Sequence, residues 1–274
     1  MITVVIATLA DKNLNILLQK LNKEKYVKRI IISVPLNCNK KNFNFKTNKK
    51  LILFNAFRHQ VKQRIAASNL VKTKFTLYLD DDVVFNDLFI KKLYNFKLLM
   101  GDKSIVGPIY YDLKKKKIHS FSGDIFFQIK KIILFILFRI PLSKKRMGLV
   151  TNNGFNFGVD PDYMDKNWHE VSWLPGACLL ANTKYLIKKN YFSTQGKAYC
   201  EDLILSYLFK KKKLQLFVYN KCKIYTNPQS KLKVSKEIDL YFNGLKNYYK
   251  TQNKELDLSY FLRKIYFYLV SLIR

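Results

Sequence analysis

The chain has 274 residues, of which 49% are hydrophobic and 15% aromatic, so it can bury a sizeable core and is not an intrinsically disordered chain. Its 50 Lys and Arg against 19 Asp and Glu give a formal net charge of +31, which favours anionic partners such as phosphorylated substrates, anionic lipid or nucleic acid. The lysine excess, with abundant Asn, Ile, Phe and Tyr, is also what an AT-rich genome encodes. We therefore attribute the net charge about equally to genome composition and to attraction of anionic partners.

The four cysteines have no C-x-x-C spacing, and the three histidines are scattered. This pattern predicts neither a zinc site nor a disulfide framework, but reduced thiols in a cytosolic protein. The first residues lack the charged leader and long apolar region of a signal peptide. No run approaches the roughly 18 to 20 apolar residues that span a bilayer. We therefore expect a cytoplasmic protein.

Strands and helices alternate through the first part of the chain. The predicted strands are short, mostly apolar runs: Ile2–Ala7, Val27–Val34, Leu51–Phe54, Phe75–Leu79 and Ser104–Tyr111. Helical spacing predicts three helices between them: Asn13–Leu21, Arg58–Val71 and Leu88–Met100. Such alternation is typical of an α/β fold with a mostly parallel sheet and right-handed crossovers.

The pattern is less regular after Tyr111. The apolar segment Ile125–Ile140 carries internal lysines; it is too short to span a membrane, and it fits either a membrane interface or a buried helix. Residues 148–167 are rich in Asn, Gly and Asp and are predicted to be loop. The remaining predicted elements are a strand, turn and strand in Val171–Ala181, short helices at Thr183–Lys189 and Glu201–Lys212, and strands at Leu214–Tyr219 and Cys222–Tyr225.

The C-terminal part, from Lys231 onward, is predicted to be helical. Its last piece, Leu258–Ile273, mixes aromatic and aliphatic residues with basic ones and reads as a basic amphipathic helix. Such a helix suits an anionic membrane surface or packing on the rest of the domain.

An acidic cluster, Asp80–Asp82, ends the predicted strand Phe75–Leu79. Adjacent carboxylates repel one another by about 1 kcal/mol per close pair even in water, and a cation would relieve that repulsion. Oxygen ligands suit Mg²⁺ or Mn²⁺, and Mg²⁺ typically combines one or two carboxylates with substrate phosphates. In open α/β sheets, ligands lie beyond the carboxyl ends of the strands, so we predict a metal–phosphate site here. The competing interpretation is a turn with a helix cap, although Asn86 and Asp87 already predict a cap for the next helix.

Five segments, in this order, resemble family 2 glycosyltransferases of the GT-A fold, of the type that builds bacterial cell-surface glycans. They are the opening strand Thr3–Thr8 with its nucleotide-facing loop, Gln63-Arg64, the D-x-D-like Leu79–Val83, the W-x-x-G-like Trp173–Cys178, and the E-D-x-x-L-like Glu201-Asp202 with Leu205-Ser206. The resemblance covers roughly residues 1–225. It implies a Rossmann-like, mostly parallel central sheet flanked by helices, with a C-terminal helical appendage.

The resemblance also implies site roles. Asp82 and Asp80 are expected to ligate Mn²⁺ or Mg²⁺. Nucleotide-sugar binding is assigned to five residues: Thr8, Asp11, Arg64, Asp80 and Asp81. Acceptor binding is assigned to Trp173, Gly176 and Glu201, and Asp202 is the general base. The alternatives are that Arg64 only pairs with Asp80 or Asp82, and that Trp173 is a core residue. From the residues alone, Asp202 at a helix N-terminus is expected to stay ionised because of the helix dipole. The alternative is that Glu201 and Asp202 only cap the helix.

Two positions depart from the family pattern. Ile65 stands where the family commonly has Asn after the arginine, and Thr226-Asn227 stands where many members have a His after the last sheet strand. Residues 114–167 match nothing in the family.

The expected domains are a GT-A domain over 1–228, with a nucleotide-sugar half at about 1–110 and an acceptor half at about 111–228, and a helical, potentially membrane-associating tail over 229–274.

The expected function is therefore metal-dependent, inverting transfer of a sugar from a nucleotide-diphosphate sugar to a hydroxyl of a glycan or lipid-linked acceptor. The expected location is peripheral, against anionic lipid at the inner face of the plasma membrane, without nucleic acid. The alternative is a basic nucleic-acid- or membrane-binding protein without catalysis. A nucleotidyltransferase fits less well because Thr8–Lys12 lacks the Gly-rich phosphate loop of that class.

Overall fold

The computed structural model describes residues 1–9, 13–36, 47–118, 147–151, 154, 156–193, 198–227 and 235–272. The strands in these ranges are β1 Ile2–Ala7, β2 Val27–Pro35, β3 Lys50–Ala56, β4 Phe75–Leu79, β5 Val84–Phe85, β6 Ser104–Asp112, β7 Trp168–Val171, β8 Cys178–Asn182 and β9 Gln215–Thr226. The α-helices are α1 Asn13–Lys23, α2 Gln60–Asn69, α3 Phe89–Leu99, α4 Glu201–Lys211, α5 Ser235–Thr251 and α6 Leu258–Leu272.

All the described strands belong to one sheet in the order β3-β2-β1-β4-β8-β6-β9-β5, with β7 also paired to β9. The strands β1, β2, β3, β4, β6 and β9 run in one direction, which confirms the predicted mostly parallel sheet. Strand β8 lies antiparallel between β4 and β6. This insertion was not predicted, because its pairing joins segments about a hundred residues apart.

Helices cover both faces of the sheet, which explains why β1 and β4 are buried along their whole length. On one face, Leu77 of β4 joins a core cluster with residues of α1 and α3. On the other face, Tyr78 joins a cluster with residues of α2 and α4. Successive residues of β4 therefore pack against helices on opposite faces of the sheet.

The helices α4, α5 and α6 share a third core cluster, to which they contribute Leu203, Phe242 and Tyr260 respectively. The predicted C-terminal helical appendage is thus present and packs on the helix that begins with Glu201. In the described part of the chain, no helix is both long enough and apolar enough to cross a bilayer.

Several local predictions differ from the structure. Helix α3 has Leu88 as its N-cap, at φ 64° and without a side-chain cap hydrogen bond, so the predicted Asn86/Asp87 cap is wrong. The two strands predicted around residues 214–225 form one strand, β9, whose register shifts opposite Pro108 and Ile109. Only a single 3₁₀ turn, Thr183–Tyr185, forms where a helix was predicted. The segment Ile125–Ile140 lies outside the described residues.

Helix α2 is fastened to the carboxyl ends of β1 and β2 by one buried amide. His59 begins the helix as its N-cap, and its side chain accepts a hydrogen bond from the Lys62 backbone N–H. The Gln63 side-chain amide donates to the carbonyl oxygens of Thr8 and Ser33, at 3.1 Å each. These bonds fix the position of the next residue, Arg64, relative to the sheet edge.

We expect Gln63→Leu to lower the free energy of unfolding by about 1 to 3 kcal/mol, because the carbonyl oxygens of Thr8 and Ser33 each lose one buried hydrogen bond. Urea denaturation measures this loss. Gln19→Leu, on the exposed side of α1, is the matched control and should change stability by less than about 0.5 kcal/mol. Equal midpoints for the two variants would contradict the anchoring role of Gln63.

Candidate active site

The acidic cluster and the end of the first strand meet at one edge of the sheet. Strands β1 and β4 are parallel neighbours, with Ile2 opposite Phe75, so the residues that follow them lie together. The Thr8 hydroxyl donates a hydrogen bond to the Asp81 carboxylate. The Asp80 backbone N–H donates to the Ala177 carbonyl oxygen at 2.9 Å, which ties this edge to the segment before β8.

Arg64 joins the acidic cluster to the start of α4. Its side chain is only 3% exposed, with Nη2 at 2.6 Å from Asp80 Oδ1 and Nη1 ion-paired with Glu201 Oε1. Burial opposes the positive charge, but the two carboxylates outweigh it, so the pKa of Arg64 is raised well above its ordinary value. The carboxylates of Asp80 and Glu201 are thus held against one guanidinium.

Two further side chains complete this ionic cluster. The Gln60 side-chain amide lies 3.3 Å from Asp80 Oδ1, and the Tyr191 hydroxyl donates to Glu201 Oε2 at 3.1 Å. Arg64 was predicted to bind the nucleotide sugar. Its guanidinium is buried between two carboxylates and ion-paired with both, so the structure shows a structural role for Arg64, while binding of the nucleotide sugar stays a prediction.

Gly176 leaves the space that the ion pair occupies. A Cβ atom at this position would lie 2.8 Å from Arg64 Nη1 and closer still to the Glu201 carboxylate. The same segment is fixed on both sides: the Cys178 N–H donates to the Tyr110 hydroxyl at 2.9 Å, and the Leu174 N–H donates to Ser206 Oγ at 3.0 Å. The absence of a side chain at Gly176 therefore serves the ion pair directly.

Trp173 lies at the start of this segment and is partly buried against the α4–α6 cluster. Its indole N–H donates to the Phe157 carbonyl oxygen at 2.8 Å. This hydrogen bond fixes the orientation of the ring, while part of its surface stays accessible.

Asp202 is the second residue of α4, which follows Cys200 in the left-handed region at φ 60°. Its Oδ1 accepts the Leu203 backbone N–H at 2.9 Å. Burial, and then the negative charge of Glu201, raise the pKa of Asp202 from 3.8 to about 7, against the opposing effects of backbone N–H groups and Arg64. Desolvation thus opposes the helix dipole, and the carboxyl that was expected to stay ionised is only about half ionised at pH 7. A carboxyl with a pKa near neutrality can exchange a proton at physiological pH.

The acidic cluster does not form a metal centre from protein ligands alone. Among the described residues, no group of three or more His, Cys, Asp or Glu is arranged to hold a metal ion. The donors present are carboxylates, which suit Mg²⁺ or Mn²⁺, and such ions commonly take one or two carboxylates with the remaining positions filled by phosphate and water. Asp82 and Asp80 are the carboxylates predicted to hold such an ion, and this ligation stays a prediction. Asp11 lies outside the described residues.

Sequence reasoning missed Gln60, Tyr110 and Tyr191. Gln60 had a usable signal, since it lies four residues before Arg64 and therefore on the same helix face. The two tyrosines had none, because their partners, Cys178 and Glu201, lie in other elements and at no regular spacing from them.

A cavity of about 540 Å³ lies elsewhere, beside the start of α3 and the irregular part of β9. Its lining mixes basic and acidic groups, including Asp87, Lys92, Asp162, Lys221 and Lys223. None of the predicted site residues lines it. The buried ionic cluster and the shifted Asp202 therefore locate the candidate site better than cavity size does.

The fold is similar to that of solved structures, although the sequence is not. The crystal structure of GalNAc-T7 with UDP, GalNAc and Mn²⁺ superposes with a TM-score of 0.59 at 11% identity, over 92% of this chain and 48% of that one. A mycobacterial protein superposes with a TM-score of 0.56 at 11% identity, over 93% of this chain and 76% of that one. No family model and no curated protein matches the sequence. This chain spans about half the length of GalNAc-T7 and has the GT-A glycosyltransferase fold.

We expect Arg64→Met to lower the free energy of unfolding by about 3 to 5 kcal/mol, because it leaves two carboxylates without their shared cation. The unfolding free energy of Arg64→Lys should lie between those of the wild type and Arg64→Met, since one ammonium group cannot reproduce the two-sided contact of the guanidinium. Urea denaturation is the measurement, with the exposed Arg58→Met as control. Adding Glu201→Gln to Arg64→Met should restore part of the loss; no recovery would contradict the charge explanation.

We expect Asp202 to make stability pH-dependent. Its pKa is raised in the folded protein to about 7, so its contribution is fully present below about pH 4 and is lost as pH rises through 7. The slope is at most about 1.4 kcal/mol per pH unit. The difference in unfolding free energy between wild type and Asp202→Asn should therefore change between pH 4 and 7. The exposed Asp165→Asn is the control variant, and a flat difference for Asp202→Asn would refute the shifted pKa.

Proposed function

We propose that this chain is a metal-dependent, inverting glycosyltransferase of the family 2 type. It moves a sugar from a nucleotide-diphosphate sugar to a hydroxyl of a glycan or lipid-linked acceptor, in cell-surface polysaccharide synthesis at the inner face of the plasma membrane. One observation carries the proposal: Arg64 joins Asp80 to Glu201, so the acidic cluster after β4 and the α4 N-terminus share one site. The GT-A fold supports it.

The donor half is formed by the ends of β1 and β4. Asp82 and Asp80 would hold Mn²⁺ or Mg²⁺, and a divalent ion supplies charge neutralisation for a diphosphate leaving group. Asp80, held by Arg64 and Gln60, also faces the ribose or base in this proposal. Thr8 fixes the Asp81 carboxylate, which limits the repulsion among the three acidic side chains.

The acceptor half is formed by the segment from Trp173 to Gly176 and by the start of α4. Asp202 takes the proton from the acceptor hydroxyl as that oxygen attacks C1 from the face opposite the diphosphate, which inverts the configuration. Its pKa of about 7 suits this role, because about half of the groups are ionised at neutral pH and the carboxylate is basic enough to accept a proton. Trp173 offers an apolar ring surface to an acceptor sugar.

The second candidate is a nucleic-acid- or membrane-binding protein without catalysis, which the net charge of +31 favours. Binding of that kind depends steeply on salt and does not require a sugar nucleotide. Salt-dependent DNA affinity without any nucleotide-sugar binding would select this candidate and reject the enzyme.

We expect a panel of UDP-, GDP- and dTDP-sugars to raise the melting temperature for one donor, and to raise it further with Mn²⁺. Asp82→Ala should abolish the Mn²⁺-dependent part of the shift, because it removes the main carboxylate for the ion. Asp87→Ala, an exposed aspartate shortly after the cluster, is the matched control and should keep it. A full Mn²⁺ effect in Asp82→Ala would contradict the metal assignment.

We expect Asp202→Asn to keep the donor-induced melting shift but to lose about 10²- to 10⁴-fold in transfer rate, because the acceptor proton has no base. Radiolabelled or coupled transfer assays measure the rate, and the exposed Glu170→Gln is the control. The wild-type rate should rise with pH to a plateau above about 7. Undiminished transfer by Asp202→Asn would exclude it as the base.

A further inference from the structure

Helix α6 has two chemically distinct sides. One side presents five large apolar side chains, each at least 38% exposed: Leu258, Phe261, Leu262, Ile265 and Leu269. With 3.6 residues per turn, these positions fall within an arc of about 100°. A contiguous exposed apolar stripe of this kind on a folded domain indicates an interaction surface. We call these five residues the apolar stripe.

The opposite side of α6 is fully used within the domain. Arg263 is 3% exposed and donates to the Tyr241 hydroxyl, and the Tyr260 hydroxyl donates to the Phe242 carbonyl oxygen at 3.2 Å. Phe267 stacks on Tyr241 with ring centroids 5.8 Å apart. The helix start is capped by Asp257, which accepts the Tyr260 backbone N–H at 3.0 Å. The apolar stripe therefore belongs to an anchored helix, whose exposed side cannot turn inward without breaking these contacts.

The length of α6 limits what can cover the stripe. Its 15 residues make a helix about 22 Å long, which is shorter than the roughly 30 Å hydrocarbon core of a bilayer. A helix of this length with one apolar side suits the interface plane, where its apolar side enters the boundary between headgroups and acyl chains. The half-buried Tyr266 and Tyr268 flank the stripe on either side, and tyrosine is a residue type that favours this interface.

We propose that the apolar stripe of α6 docks on an anionic lipid bilayer. The net charge of +31 attracts anionic lipid and opposes close approach of a second copy of the chain. Helix α5 contacts both α4 and α6, so bilayer contact would lie on the acceptor side of the molecule. In placing a lipid-linked acceptor near Asp202 the inference rests on the proposed function, whereas bilayer binding itself does not.

Co-sedimentation with vesicles tests the inference. We expect the full chain to bind vesicles of phosphatidylcholine with phosphatidylglycerol, and to bind pure phosphatidylcholine vesicles more weakly. The triple variant Phe261→Ser, Ile265→Ser and Leu269→Ser should lose at least about tenfold in apparent affinity, because the apolar contact is removed. The control is Leu98→Ser with Leu99→Ser, two exposed leucines of α3, which should bind like the wild type. Circular dichroism and melting temperature verify that the variants fold.

Three results would overturn the inference: no vesicle binding by the wild type, equal loss in the control, or full binding by the triple variant. A wild-type dimer in light scattering that the triple variant abolishes, without vesicle binding, would assign the stripe to a second copy. Donor-dependent melting shifts are measured separately without lipid. Vesicle binding without any donor response would refute the proposed function and leave this surface standing, and the reverse would refute only the surface.

Discussion

The structure depends on one buried guanidinium. Arg64 is held by α2, which is itself tied to β1 and β2 through Gln63, and it meets Asp80 on one side and Glu201 on the other. A cation removed from water costs several kcal/mol unless carboxylates compensate it, and two uncompensated carboxylates would cost as much. The three groups therefore require one another. These ion pairs hold Asp80 and Glu201, which are 16 and 137 positions away from Arg64 in the chain, at the same edge of the sheet.

The same arrangement explains the electrostatics of Asp202. Glu201 is ion-paired with Arg64 and accepts a hydrogen bond from Tyr191, and its carboxylate lies beside Asp202 in the chain. That charge, added to burial, moves the pKa of Asp202 to about 7. Two adjacent carboxyl groups therefore differ because their surroundings differ. Glu201 is ion-paired, whereas Asp202 has no ion pair within the described contacts and has a pKa of about 7. Gly176 permits this division, because any side chain there would push into the ion pair.

The two C-terminal helices pack against α4 and support it from outside. α5 covers α4, and α6 covers α5 with one side, so the helix bearing Asp202 is supported by two further layers. The outermost layer ends in an apolar surface that the described part of the chain leaves exposed. Support for α4 and presentation of that surface are two consequences of the same packing, since the tyrosine and arginine contacts that hold α6 also fix which side faces outward.

By itself the sequence determined the mostly parallel α/β sheet, the strand Phe75–Leu79 with its acidic end, the helix starting at Glu201 and the C-terminal helices, because apolar periodicity and local residue chemistry specify such elements. It also singled out Arg64, Gly176 and Asp202. Only the tertiary structure decided what these residues do. The antiparallel insertion of β8, the burial of Arg64 between two carboxylates, and the space that Gly176 leaves for that pair all arise from contacts between distant segments. The pKa of Asp202 followed the same rule: the helix terminus predicts an ionised group, but desolvation depends on which elements enclose it, and that is a property of the packed molecule.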